Sequence, residues 1–264
     1  MHGIMYDLDL DSGKLSHPRD FGVAQNATQQ GGLGGMATHP DDRRLFAFDH
    51  ALSTGEQSHL YKLTRRGDAT QIGALKGVAE PPIATQGISG HFATFAPDGT
   101  LYGGADNGFA GRNATLMTID IATGARTPKA DNYNGLPVTD STGPVTSLVF
   151  GAAFHPVDGQ LYAWVHEANF DGATVWRVAT LDTSTGLLGT RVDTNFAIAA
   201  GFLQDLEFLK KRNGQVVAYA VGNGVFRCDD ITVASPQIEK VADFSGLVGT
   251  APGAAERVTG LSRW

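Results

Sequence analysis

Cysteine is almost absent from this sequence. Cys228 is the only one, so the chain can form no internal disulfide and no cysteine-based zinc site. Long apolar runs are missing too, since none approaches the roughly 18 residues that a transmembrane helix needs. The first residues also lack the basic and then apolar order of a signal peptide. We therefore expect a soluble protein with no membrane partner; its compartment stays undetermined, and export is left open.

Positive charge is scarce as well. Lys and Arg together number 20 against 27 Asp and Glu, which gives a formal net charge of −7. Nucleic acids are bound through clustered Lys and Arg, so we expect no nucleic-acid partner. The acidic balance favours solubility. We predict a monomer.

Charged residues make up only 18% of the chain, whereas glycine is abundant with 34 copies. This balance favours many short, half-buried strands joined by tight turns over long surface helices. At 264 residues, an all-β chain can still form a single domain. We predict one domain over residues 1–264.

A hairpin pattern recurs along the chain. In each copy an apolar strand ends near a proline, which cannot donate to the strand ladder, then Asp and Gly turn the chain and an aromatic strand follows. Three clear copies and a fourth, weaker one fall at residues 38–48, 95–102, 154–164 and 208–219. Counted on the aromatic residue of the returning strand, at positions 46, 102, 162 and 219, the steps are 56, 60 and 57 residues (102−46, 162−102, 219−162). A period of this size is typical of propeller blades.

A second turn of the form Asp-x-x-Ser/Thr-Gly follows several copies, at residues 9–13, 120–124 and 182–186. It marks the turn between a third and a fourth strand, and four strands per repeat is typical of a propeller blade. The two turns together resemble the broad class of propellers with NHL, YVTN and lactonase-like repeats. The resemblance implies an architecture without naming an activity, because one fold hosts many functions.

The ends of the chain supply the rest of the expected ring. Residues 1–25 read as the last two strands of a blade and residues 256–264 as a first strand, so together they predict a composite blade that closes the ring. The sequence thus predicts a five-bladed all-β propeller; the alternative is a four-bladed ring with the terminal segments outside it. The other four blades are placed at about 31–77, 88–130, 147–194 and 201–244.

Neutral polar side chains stand near the starts of the first strands, where a propeller channel opens. They suit a sugar or another uncharged polar ligand. The predicted ligand-binding residues are Gln30, Gln86, His91, Thr146, Gln204 and Thr259. We therefore expect a recognition module that binds a polar small molecule, a glycan or a protein, and not an enzyme, because no complete catalytic constellation is visible.

A carboxylate pair supports the alternative. Asp205 and Glu207 are two residues apart, which on a regular strand places them on one face. With His91 they are the acid/base candidates for a lactonase-like hydrolase or lyase that uses a divalent cation. The structural alternative pairs Glu207 with Arg257 or Arg263 on the closing blade.

We predict no metal site and no cofactor. Calcium is the one cofactor that the sequence leaves open, because Asp7, Asp9 and Asp11 alternate near the start of the chain. Another pair of residues is expected to be structural: His39 and His155 share one turn position in two repeats.

Overall fold

A computed structural model gives the fold and describes residues 4–10, 14–20, 33–49, 58–75, 89–106, 115–130, 147–167, 174–201 and 203–244. Within these ranges the chain is all β, with one short 3-10 helix, Ile198–Ala200, and no α-helix. No described helix has the length and apolar character needed to cross a membrane. The strands are β1 Ile4–Leu8, β2 Leu15–Asp20, β3 Leu33–Thr38, β4 Leu45–Asp49, β5 His59–Leu63, β6 Ala69–Ala74, β7 Ser89–Phe95, β8 Leu101–Asp106, β9 Thr115–Ile119, β10 Arg126–Pro128, β11 Leu148–Phe154, β12 Leu161–His166, β13 Val175–Leu181, β14 Val192–Ala197, β15 Leu203–Lys210, β16 Val216–Gly222, β17 Gly224–Cys228 and β18 Ile238–Asp243.

Four antiparallel sheets of four strands follow one another along the chain, as β3 to β6, β7 to β10, β11 to β14 and β15 to β18. The first strands lie side by side, β3 against β7, β7 against β11 and β11 against β15. β7 also contacts β15, which is not its neighbour in the series. The first strands therefore gather around a common axis, and the all-β propeller predicted from the repeats is confirmed.

The turns explain why the repeat folds in this way. In the second blade the Asp98 carboxylate accepts the Thr100 amide N–H at 2.9 Å, and Gly99 takes a φ of +84° that suits glycine. The third blade repeats this with Asp158, which accepts the Gln160 N–H at 2.9 Å, and with Gly159 at a φ of +70°. The Pro-Asp-Gly signal therefore works by an Asx turn followed by a left-handed glycine.

The prediction of five blades is wrong for the described residues, which form four complete blades. Four is the number of blades in the alternative prediction. At the place of the fifth, the described part of the chain contributes a two-stranded hairpin, β1 with β2. Leu8, Leu10 and Leu15 of this hairpin pack against the face of the fourth blade that points away from the third blade. Their contacts there include Val217 and Tyr219. Two strands cannot make a four-stranded blade, and residues 256–264, which were expected to complete it, lie outside the described residues.

The fourth repeat is shifted by two residues from its predicted alignment. The turn bond from Ala96 N to Thr100 O has its counterpart in the bond from Lys211 N to Gln215 O. The residue equivalent to Phe95 is therefore Lys210, and Phe208 lies two places too early. The prediction failed here because this turn contains no proline, so the aromatic residue was taken as the marker in its place.

Apolar clusters fill the spaces between successive blades and hold them together. The first and second blades share Phe46, Phe48, Leu101 and Met117; the second and third share Phe92, Val149, Ala152 and Leu161; the third and fourth share Trp164, Trp176, Leu206 and Phe226. At the turn end of the blades, His39 stands edge-on to Phe95 with centroids 4.9 Å apart, and His155 stands edge-on to Phe208 at 5.0 Å. Both histidines therefore have the structural role that their shared turn position predicts.

Candidate functional site

Each first strand carries a β-bulge near its beginning. The register against the second strand shifts at Leu33/Met36, Gly90/Phe92, Val149/Gly151 and Gln204/Glu207. A bulge inserts one residue, twists the strand and re-aims a side chain, and bulges are common beside functional sites. The inserted residues of the second and third blades are His91 and Phe150. We call the end of the blades at which the first strands begin the upper face.

An aromatic row crosses this upper face. The His91 ring stands edge-on to Phe150 with centroids 5.1 Å apart, and Phe150 in turn contacts His166 at 5.9 Å and Trp176 at 5.8 Å. The His166 and Trp176 rings are 5.1 Å apart. These four residues, His91, Phe150, His166 and Trp176, form the aromatic row. Trp176 is buried beneath the other three, which are partly exposed.

His166 is held as a neutral imidazole within the row. Burial lowers the pKa of this imidazole below its usual value of 6.5, because a charged ring loses hydration there. A backbone hydrogen bond opposes the shift without cancelling it. At neutral pH His166 therefore contributes an uncharged ring to the row.

The row ends at the entrance to the fourth blade. The Trp176 indole Nε1–H donates to the carbonyl oxygen of Gly201 at 3.0 Å. Gly201 has a φ of +153°, and a Cβ built on it would lie 2.8 Å from Oδ1 of Asn223. This φ favours glycine, and without a Cβ the Asn223 amide lies directly over the backbone. The glycine thus brings the indole and the amide to the same place.

Within the described part of the chain, two buried amide oxygens at this entrance accept no hydrogen bond. They are Oε1 of Gln204 and Oδ1 of Asn223. Gln204, one of the predicted ligand-binding residues, is only 9% exposed and lies beside Val221 on the next strand. Buried polar atoms are nearly always paired in native proteins, and an unpaired one needs an explanation such as a bound water or ligand. We call these two atoms the acceptor pair.

The carboxylates of the enzyme alternative take up different environments. Asp205 is fully buried, and its φ of +50° is uncommon for a residue other than glycine. Its Oδ1 accepts the Leu206 N–H at 2.9 Å. Glu207 is half-buried opposite Tyr219. The bulge lies between the two acids, so the regular alternation that was expected to place both on one face is broken there.

The other predicted contacts cannot be placed in the same way. Gln30, Gln86, Thr146 and Thr259 lie outside the described residues, as do Arg257 and Arg263. Of the predicted ligand-binding set the structure thus places His91, in the aromatic row, and Gln204, in the acceptor pair. Phe150, Trp176 and Asn223 were not predicted. Phe150 could have been found, since it stands four residues before Phe154, as His91 stands four before Phe95.

Two charged clusters near the upper face were also not predicted. In the first blade the Asp49 carboxylate accepts the Tyr61 hydroxyl at 3.1 Å and lies 3.2 Å from Nδ1 of His59. Burial and this carboxylate raise the pKa of Tyr61. The partners are ten and twelve residues apart in sequence, so only the pairing of β4 with β5 brings them together.

The third blade has a larger cluster around a buried carboxylate. Glu167 accepts from Arg177 Nη1 and from Arg191 Nε, both at 2.6 Å, and from the Ser147 hydroxyl. Arg177 also donates to Asp193 at 2.7 Å. Two arginines and two carboxylates balance one another, so this cluster ties the strands of the blade together instead of presenting a free charge. In the described part of the chain, no group of three or more His, Cys, Asp or Glu side chains is placed to hold a metal.

No known family model matches the chain, and no curated protein matches it. Solved structures do share the fold. A protein of unknown function from Dyadobacter fermentans gives a TM-score of 0.54 at 9% identity, over 88% of this chain and 70% of that one. The GH93 α-L-arabinofuranosidase of Fusarium graminearum in complex with arabinobiose gives 0.51 at 10% identity, over 90% and 70%.

A GH43 β-1,3-galactosidase with galactodeoxynojirimycin gives a TM-score of 0.50 at 10% identity, over 91% of this chain and 80% of that one. The match to another structure of the Fusarium arabinofuranosidase, in complex with an iminosugar inhibitor, covers 66% of the length of that enzyme. At these identities the likeness shows the propeller fold alone.

Proposed function

We propose that this propeller is a recognition module that binds a neutral carbohydrate at its upper face, over the second to fourth blades. The observation that carries the proposal is that the aromatic row ends at Gly201, over which the Asn223 amide lies, at an end of the fourth blade where Gln204 Oε1 and Asn223 Oδ1 are buried without hydrogen-bond partners among the described residues. Binding sites for small molecules combine an apolar, largely aromatic lining with a few polar groups that fix orientation. A sugar ring offers both an apolar face of C–H groups and hydroxyls.

Two further facts support a carbohydrate over other polar ligands. The lowered pKa of His166 keeps its ring uncharged at neutral pH, which suits a neutral ligand. Among the solved structures of the same fold are glycoside hydrolases, two of them with a sugar or a sugar-like inhibitor named in the complex. The membership of this chain in the NHL, YVTN and lactonase-like class stays a hypothesis.

The test uses a glycan array and two matched histidine variants. His91 and His155 both stand edge-on to a phenylalanine of the next blade, at 5.1 and 5.0 Å, but at opposite ends of the blades. We expect His91→Ala to weaken glycan binding about tenfold, as for one lost contact group. His155→Ala should lower the melting temperature and leave the affinity unchanged. Equal losses of affinity in both variants, or no bound glycan at all, would contradict the proposal.

A hydrolase is the second candidate, and one observation favours it. Asp205 is buried in a left-handed conformation, and strained residues of this kind cluster at active sites. Glycoside hydrolysis requires two carboxylates, and Glu207 is the other acid on this strand. Nitrophenyl α-L-arabinofuranoside, nitrophenyl β-D-galactoside and a γ-lactone serve as substrates, with Asp193→Asn as the control. Turnover that Asp205→Asn abolishes, and Asp193→Asn leaves intact, would replace the binding module by an enzyme.

A further inference from the structure

We infer that the acceptor pair selects ligands with free hydroxyl groups, so that the ligand must donate hydrogen bonds to Gln204 and Asn223. This inference deepens the proposed function and rests on it. It specifies that the hydroxyl groups of the carbohydrate are recognised, and that Gln204 and Asn223 recognise them.

The first step concerns the burial of Gln204. Its side chain is 9% exposed, and Oε1 is enclosed without a donor. An enclosed amide oxygen has lost its water and gained nothing in return, which destabilises the folded protein. A site of this kind is retained at a cost to stability, which is typical of a group that is used for binding.

The second step concerns how Asn223 is held. Its backbone oxygen accepts the Phe244 N–H at 3.0 Å, and its amide lies over Gly201, which has no Cβ in the way. The Gly201 carbonyl is already bound to the Trp176 indole. Oδ1 of Asn223 has no hydrogen-bond donor among the described residues, and the backbone that carries it is held by the Phe244 N–H.

The third step is the position of the two amides. Gln204 pairs with Val221 near the end of β16, and Asn223 lies in the bend that joins β16 to β17. Both residues therefore stand at the upper end of the fourth blade. A ligand that covers this end can donate to both.

The fourth step is the choice of hydroxyl donors. An amide oxygen only accepts hydrogen bonds, so its partner must carry N–H or O–H. A neutral sugar with free hydroxyls meets this condition.

The experiment is a calorimetric titration of the full chain with arabinobiose, L-arabinose, D-galactose and the fully O-methylated form of each. Methylation keeps the ring and its oxygens and removes every O–H donor. The variants are Gln204→Met and Asn223→Leu, which remove the acceptors at similar volume. Gln215→Met, at an exposed glutamine in the turn at the opposite end, is the matched control.

We expect a free sugar to bind, its O-methylated form to bind at least tenfold more weakly, and Gln204→Met and Asn223→Leu to lose about tenfold each. Gln215→Met should retain the affinity. Gln204→Met should also raise the melting temperature, because it removes an unpaired buried oxygen, whereas a merely structural glutamine would give a lower one.

Different results would overturn this inference and the proposed function. If a sugar binds but methylation or Gln204→Met leaves its affinity unchanged, the acceptor pair does not read hydroxyls, and the proposed function stands without it. If none of these sugars binds and the glycan array is also empty, the carbohydrate function itself is overturned, and this inference with it.

Discussion

Gly151 and Asp205 lie on neighbouring first strands with their backbones in direct contact. A Cβ built on Gly151 would lie 2.3 Å from the carbonyl carbon of Asp205 and 2.6 Å from its Cα. Gly35 has the same relation to the strand of the second blade, where a Cβ would lie 2.2 Å from Ala93 N. Glycine therefore sets the spacing of the first strands at the level of their bulges.

Replacement of Gly151 by a larger residue should push the third and fourth blades apart. A methyl group at Gly151 has only backbone to displace, so we expect Gly151→Ala to cost about 3 kcal/mol of the free energy of unfolding, at the upper end for overpacking. Gly159→Ala is the control, because a Cβ at Gly159 would meet open space. The only cost of that alanine is its positive φ, about 1 kcal/mol. Urea unfolding followed by tryptophan fluorescence measures both. Equal losses would show that the close approach does not set the packing.

The pH dependence of stability should reveal the buried state of His166. The pKa of its imidazole is lower in the folded chain than its ordinary 6.5, so unfolding takes up a proton once the pH falls below that value. Its contribution to stability is complete above pH 6.5 and decreases as the pH falls toward the folded pKa. His166→Phe keeps the ring contacts and removes the titration.

We therefore expect the difference in stability between His166→Phe and the parent chain to change between pH 7.5 and pH 5, in favour of the variant at the lower pH. Urea unfolding at both values gives this difference. A constant difference across that range would mean that His166 titrates normally and is open to water.

The buried Glu167 should be costly to remove from the third blade. Glu167→Ala leaves Arg177 and Arg191 without the carboxylate that both contact at 2.6 Å, and breaking such a buried pair costs about 3 to 5 kcal/mol. Asp193→Asn removes an exposed partner of the same Arg177 and should cost under about 1 kcal/mol. Thermal unfolding separates the two. Similar small losses would mean that the cluster is solvated and contributes little.

The sequence was sufficient for the architecture because the turns are local. An Asp side chain that bonds its own backbone, followed by a left-handed glycine, works within five residues and recurs in the first-to-second turns of the blades. At Arg43 the first blade has a φ of +60° at the position of the turn glycine, and the aligned pattern still marks that turn. The fourth blade lacks the proline, and there the alignment slipped by two residues.

The site depended on features that no local pattern contains. The bulge in each first strand is a relation between two strands, and it is the bulge that broke the expected same-face relation of Asp205 and Glu207. Contacts between blades, such as His91 with Phe150, join residues 59 positions apart (150−91). The start of a first strand predicts Gln204 as a ligand contact, whereas Asn223 lies in the bend after a second strand, where the repeat pattern predicts none.

The most direct test of carbohydrate binding at the upper face is the indole N–H signal of Trp176 in a heteronuclear NMR titration with arabinobiose or with the best glycan from the array. Trp176→Phe assigns the signal. Because this N–H is bonded to Gly201 at the end of the aromatic row, we predict that it shifts in a saturable way with the affinity measured by calorimetry. Glycan binding that leaves the Trp176 signal unmoved would contradict the account, as would the absence of any binding.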